Sequence, residues 1–296
     1  MTATAITDVG FKLKGGRIGI LLLHRLCGTP VEMRFVAQGL AKLGYTVHCP
    51  MLAGHCGSAA DITASSWSDW YRSAEQALFE LRKDCDVVIA GGLSTGAVLA
   101  LMLAAKNPRH VQATTLLAPT LWLNGWMIPW YAKMFRLISH KWLANAFSFA
   151  HHAPYGIKDT RIRDFIQRAR AGSGAKVSGH PVTPGGALFE HRQLVQAVRK
   201  LVPAIRQPSL ILHPLDDDYA ALSNATFLRD GLSGPVELVV LDDCYHIITV
   251  DRQRHLVVDA IAQFANGFAN SLANAQTAPG ATSQPVALAA RHAVAA

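Results

Sequence analysis

The sequence is short of charge, of cysteine pairs and of long apolar runs. Asp, Glu, Lys and Arg make up 16% of 296 residues, and half of the chain is apolar. That balance excludes a disordered chain and allows one large α/β domain or two small ones. No apolar run reaches the roughly 18 residues of a membrane-spanning helix. The opening MTATAITDVG has no basic start followed by an apolar core. No secretory leader is therefore expected, and the expected compartment is the cytoplasm. Five cysteines (Cys27, Cys49, Cys56, Cys85 and Cys244), an odd number without CxxC spacing, fit reduced thiols and no zinc site. No histidine pair has HExxH-like spacing, so no metal is expected.

Acids are scarce in one place above all. Residues 131–200 hold twelve lysines and arginines against three acids, Asp159, Asp164 and Glu190. This segment carries nine net positive charges, so it accounts for the whole excess of a chain whose formal charge is +8. No recognisable nucleic-acid-binding module accompanies it, and nucleic acid is not expected as a partner.

What is there is a rhythm. Apolar runs at Ile18–Leu23, Tyr45–Cys49, Asp86–Ala90, Ala113–Leu117, Ser209–His213 and Val236–Leu241 lack polar alternation, as strands buried on both faces do. Between them, Val31–Leu43, Trp67–Lys83, Thr95–Lys106 and Asp251–Gly267 repeat apolar residues at helical spacing. This order predicts a mostly parallel sheet covered on both sides by helices. The long interval between the Ala113 and Ser209 strands breaks the rhythm. It contains LWLNGWMIPWYAKMF and the loop AGSGAKVSGHPVTPGG, and it predicts a helical subdomain. Four segments are expected: core at 1–119, a helical insert at 120–200, core again at 201–269, and a disordered tail at 270–296.

The chemistry centres on GGLSTGA. Gly92-Leu93-Ser94-Thr95-Gly96 follows a strand and opens a helix. A serine on such a tight turn projects its oxygen away from the backbone, and the small neighbours let strand and helix approach. The Thr95 N–H then lies at a helix start, where the dipole favours a developing oxyanion. A serine hydroxyl needs a base, and the base needs an orienting acid. After Ser94 come LDDDYA just past the Ser209 strand and His246 just past the Val236 strand, in the order Ser, Asp, His. One of Asp216, Asp217 and Asp218 is expected to face His246, because neighbours in an extended chain point to opposite sides. His24, His48 and His55 are read as structural.

These residues resemble an α/β-hydrolase of the bacterial carboxylesterase and monoacylglycerol lipase type, from about Phe11 to about Phe268. LLLHRLCGTPVEMRFVAQGLAKLGYTVHCPMLAGHCGS is similar to the family's first strand, turn and helix, GLSTG to its nucleophile elbow, ILHPLDDDY to its acid strand and CYHIITVD to its histidine signature. The resemblance implies Ser94 as nucleophile, Asp217 as the acid and His246 as the base. It implies an oxyanion hole at the N–H groups of Leu26 and Thr95, and a lid made by the insert. The chain departs from the pattern at His24-Arg25, where the family has His-Gly.

The expected function is a cofactor-free serine hydrolase of short to medium acyl esters. Its substrate would be a small ester or lipid-like molecule. An acyl-CoA thioesterase with the same triad and a non-catalytic ligand-binding relative are the alternatives. Trp122, Trp126 and Trp130 recur at i, i+4 and i+8, a single face if helical, although Gly125 and Pro129 disfavour a helix. They are expected to turn inward, either as plain lid core or as substrate contacts, with the cations outward, in weak contact with anionic membrane surfaces. Three readings of Arg25 stand open: a guanidinium in solvent, an arm that pairs with a substrate anion, or a strained residue at positive φ.

Overall fold

A computed structural model describes residues 10–171 and 182–277. Nine strands are present among them: β1 (Phe11–Leu13), β2 (Ile18–Leu23), β3 (Thr46–Cys49), β4 (Val87–Leu93), β5 (Ala113–Leu117), β6 (Ser148–Ala150), β7 (Val182–Pro184), β8 (Ser209–Pro214) and β9 (Val236–Leu241). Seven form one sheet in the order β1-β3-β2-β4-β5-β8-β9. Only β1 runs antiparallel, its Lys12 opposite His48 of β3. The helices are α1 (Arg34–Lys42), α2 (Ala59–Ala64), α3 (Trp67–Asp84), α4 (Thr95–Lys106), α5 (Lys141–Ala144), α6 (Thr160–Ala171), α7 (Gly185–Leu201), α8 (Ser223–Gly231) and α9 (Arg254–Thr277).

Two cores sandwich the sheet. On one side α3, α4 and α7 bury residues such as Trp70, Leu99 and Leu194. On the other, α1 and α9 bury Val36, Leu40 and Ile261. The central strands β2, β4, β5 and β8 are buried along almost their whole length, which is why their sequences do not alternate. β9 departs from that expectation. It is an edge strand and is largely half-exposed.

The insert between β5 and β8 is helical only in part. It holds a 3-10 segment at Trp130–Leu137, the short α5, a β6–β7 hairpin and α6. Helix α7 was expected in the insert, yet it packs on α3 and α4 as part of the core layer. The loop AGSGAKVSGHPVTPGG lies mostly outside the described residues. The expected tail begins later than Asn270, since α9 continues to Thr277; residues 278–296 lie outside the described residues. No described helix is long and apolar enough to cross a membrane.

The three tryptophans correct another expectation. Residues 121–129 form turns rather than a helix. Asn124 N–H and Gly125 N–H both donate to Tyr219 O, and Met127 N–H donates to Asp218 O. These bonds pin the segment to the loop after β8. A Cβ on Gly125 would sit 2.4 Å from the Asp218 carbonyl carbon, so only glycine fits there. Trp126 and Trp130 consequently turn outward, 56% and 76% exposed, and neither lines the cavity described below. Trp122 alone of the three lines it, with its other edge on Phe227 and Arg199 stacked over its ring.

Candidate active site

The end of β4 delivers Ser94 at φ 57°, ψ −113°, a conformation unfavourable for a side-chain-bearing residue. The surrounding structure holds it there. Ser94 N–H donates to Leu117 O at 2.8 Å, tying the turn to the end of β5. A Cβ on Gly96 would meet Leu23 O at 2.1 Å, so the last glycine of GLSTG is what lets α4 approach β2. The Ser94 side chain is nearly buried and hydrogen-bonds Thr120 Oγ1 at 3.0 Å. Thr95 supplies the first amide of α4, which no helical carbonyl can satisfy.

His246 sits in the loop between β9 and α9. Its Nδ1–H donates to Asp217 Oδ2 at 2.8 Å. Asp217 is buried, and its other oxygen accepts Tyr219 N–H and Ala220 N–H at 2.8 and 2.7 Å. Burial alone would raise the Asp217 pKa. The His246 charge and hydrogen bond, with help from His213 and the Ala220 N–H, bring it below the ordinary carboxylate value. For His246, burial works to lower the pKa, and Asp217 followed by Asp218 overcomes it, so the imidazole titrates above its ordinary value.

Asp218 is not the surface charge that alternation along a strand would make it. Residues 215–221 form a turn, closed by the Asp217 carboxylate, so neighbouring side chains do not diverge. Asp218 is fully buried and accepts Gly156 N–H at 2.9 Å and His246 N–H at 3.3 Å. One acid thus holds the imidazole and the next holds its backbone. Burial pushes the Asp218 pKa to about 6, against a partial offset from the His246 charge. The folded chain therefore binds a proton more readily than the unfolded one between about pH 4 and 6, and this group's contribution to stability falls as pH rises through that window. Asp218→Asn removes the slope. Its unfolding free energy should gain about 2 kcal/mol relative to wild type on going from pH 4 to pH 6, most of the effect of a shift of about two pKa units. Urea unfolding at the two pH values measures it.

Other contributors went unrecognised in the sequence. Asp251 lies buried under the same loop and accepts the N–H groups of Tyr245, Arg252, Lys158 and Asp159, fastening the histidine loop to the insert. His191 of α7 is buried and hydrogen-bonds Thr95 Oγ1 at 3.1 Å, and burial lowers its pKa to about 4. His191 has no local motif that announces a role, and Asp251 closes the CYHIITVD stretch without any sign there that it anchors the loop.

Arg25 fits none of its three open readings as they stood. It is not in solvent; its side chain is 14% exposed. It is not at positive φ, which falls instead on Cys27. Its Nε donates to Glu32 Oε2 at 3.1 Å, and its backbone N–H donates to Glu32 Oε1 at 2.8 Å. An internal carboxylate therefore takes the place that a substrate anion would have had. Gly28 leaves room for this, since a Cβ there would lie 2.4 Å from Glu32 Oε1. His24 stays neutral beneath the turn. Leu52 N–H donates to its Nε2, so Nδ1 carries the proton and donates to Arg25 O, and burial pulls its pKa to about 4.

Glu32 and His246 also sense each other's charge. Glu32→Gln should leave Arg25 uncompensated near the imidazole and make the imidazolium harder to form. The acid limb of a pH–rate profile should move to lower pH, with a loss of about 3 kcal/mol in stability from the broken pair. A pH–rate series and an unfolding curve check the two halves.

Ser94, His246, Leu26 and Thr95 all line one cavity of about 830 Å³, together with Arg25 and Trp122. Met127, Ile128, Phe135, Phe149 and Leu188 form much of its apolar wall. Among the described residues no group of three or more His, Cys, Asp or Glu side chains is placed to hold a metal ion.

Comparison with known proteins agrees with this architecture. Residues 17–253 match the model of the family Hydrolase_4, described as serine aminopeptidase, S33. The chain is 27% identical over 255 residues to a thermostable monoacylglycerol lipase from Bacillus sp. (strain H-257), which covers 86% of this chain and 92% of that protein. It is similar to a solved structure from work on LipS and LipT, two metagenome-derived lipolytic enzymes, with a TM-score of 0.72 and 26% identity over 90% of this chain and 100% of that one. It shares its fold with a soluble variant of the monoglyceride lipase from Saccharomyces cerevisiae, solved with a substrate analog. There the TM-score is 0.73 at 15% identity, over 90% of this chain and 96% of the other.

Proposed function

Because the chain belongs to the Hydrolase_4 family and is an α/β-hydrolase of lipase and esterase type, we propose that it cleaves carboxylic esters of short to medium acyl chains through an acyl-enzyme on Ser94. The observation that carries this reading is the 2.8 Å Asp217–His246 hydrogen bond, with the imidazole lining the same cavity as the elbow serine.

Ser94 Oγ attacks the acyl carbon while its proton passes to His246 Nε2. The N–H groups of Leu26 and Thr95 receive the oxyanion. The tetrahedral adduct collapses, and the alcohol leaves with the proton from His246. Water then repeats the sequence on the acyl-enzyme and releases the acid. Ser94 must first exchange its Thr120 hydrogen bond for one to His246. The base acts only when neutral, so the rate should rise with pH through the raised His246 pKa. No cofactor takes part. The departure at Arg25 does not count against catalysis in this reading, because the guanidinium pairs with Glu32.

Hydrolysis of p-nitrophenyl butyrate and of a monoacylglycerol tests the reading. Release of acid from both supports it, and a folded protein inert toward both overturns it. The insert acts as the lid in this reading. Its outer face carries Trp130, Leu137, Trp142 and Phe165, all strongly exposed, among lysines and arginines. Binding to anionic vesicles should therefore exceed binding to neutral ones at low salt and fade as salt rises; sedimentation with the two lipid types checks it.

A further inference from the structure

The charged residues lining the cavity are of one sign only. Among the described residues, its lining includes no aspartate or glutamate, yet it includes Lys133, Arg136 and Arg192 besides Arg25. The Arg25 charge is answered by Glu32. The other three are not answered. No ion pair among the described residues involves Lys133, Arg136 or Arg192.

These three cations form one group. Lys133 and Arg136 stand three residues apart on the 3-10 segment Trp130–Leu137, where side chains at that spacing lie one above the other. Arg192 reaches the same segment from α7. Its two terminal nitrogens donate to Phe135 O, at 2.9 Å, and to Ile138 O. Its Nε is buried with no hydrogen-bond partner. Neutral carbonyls orient this guanidinium but leave its charge uncompensated. A partly desolvated cation of this kind lowers its free energy when an anion arrives, more so with apolar walls around it.

From this grouping we infer that the cavity holds an anion subsite at Lys133, Arg136 and Arg192, and that the enzyme favours esters bearing a free carboxylate or phosphate away from the scissile bond. The inference rests on the esterase reading for the scissile end. The apolar residues that line the same cavity as Ser94 and the cations suit a hydrocarbon spacer. The reaction is unchanged: water adds hydroxyl to the acyl carbon and a proton to the alcohol, and the remote anion is not altered.

The test compares kcat/KM for p-nitrophenyl hydrogen suberate with that for p-nitrophenyl octanoate, in low salt and in high salt. A second arm compares octanoyl glycerol phosphate with monooctanoylglycerol. A charge-assisted contact predicts a preference for the anionic member of about ten- to a hundred-fold in low salt, shrinking in high salt. Preference in the first arm alone assigns a carboxylate on the acyl side, and preference in the second alone assigns a phosphate on the alcohol side. The preference should collapse toward unity in K133Q/R136Q and in R192Q. K133Q/R136Q removes only exposed charges, so it remains informative if R192Q does not fold.

No anionic preference in either arm would overturn the inference. So would a preference that both variants retain, or variants that lose anionic-vesicle binding and keep the soluble preference. Suberate itself gives an independent readout. It should raise the Tm of wild type and raise that of K133Q/R136Q far less. If wild type hydrolyses none of the four esters, the esterase reading fails, and this shift still decides the subsite; no shift in wild type then overturns it.

Discussion

Ser94→Ala should lower ester hydrolysis by about three to six powers of ten and leave the protein folded. The size follows from the role proposed for the hydroxyl. Without it no acyl-enzyme forms, and what survives is the contribution of binding and of the N–H groups of Leu26 and Thr95 to direct attack by water. The elbow should persist, because its conformation does not depend on the oxygen. Ser94 N–H still reaches Leu117 O, and Gly96 still admits Leu23 O. Alanine keeps the Cβ and hence the strain of positive φ, and the variant gives up one hydrogen bond, to Thr120 Oγ1. That loss is about 1 kcal/mol. Rates on p-nitrophenyl butyrate, with a thermal unfolding curve beside them, separate loss of chemistry from loss of fold. Comparable rates in wild type and variant would make another group the nucleophile.

Asp217→Asn should cost about 10⁴ in kcat, with a mechanism distinct from simple loss of charge. Asp217 Oδ1 is held by two amides, Tyr219 N–H and Ala220 N–H. An asparagine keeps those bonds by placing its carbonyl oxygen there, which turns its NH₂ toward His246 Nδ1. Nδ1 must then accept, so the ring proton moves to Nε2, where the lone pair for the Ser94 proton is needed. Asp216 is exposed and lies 4.0 Å from Lys158 Nζ. Its Asn variant should change kcat less than about twofold, as surface substitutions do. Stopped-flow rates for the two variants check the contrast. A loss at Asp216 equal to that at Asp217 would break the assignment.

Much of this site was legible because it is local. GLSTG between a strand and a helix, and acid and histidine each just past a strand, are patterns within a few residues. The buried strands β2 and β5 were legible to the residue, since runs covered on both faces have no polar positions to blur their ends. What failed to show is what tertiary contact decides. β1 is a three-residue half-exposed edge strand, too short for any period. The tryptophan spacing looked helical, and backbone bonds from residues 124–127 to the loop after β8 overrode it. Asp218 and Asp251 are buried anchors through amides from other segments, Gly156 and Lys158 among them, which nothing in their own stretches of sequence shows. Arg25 raised a question that its neighbours in sequence could not answer. The answer stands seven residues on, at Glu32, once the chain turns back.

Labelling by a fluorophosphonate, with the adduct located by peptide mass, tests the central claim most directly, because the reagent needs a nucleophilic serine with its base and oxyanion donors in place. The account predicts a single adduct on Ser94 in wild type. It predicts no adduct in Ser94→Ala and labelling slowed by at least about a thousandfold in His246→Ala. An adduct on another residue, equal labelling of Ser94→Ala, or a folded wild type that does not react would contradict it.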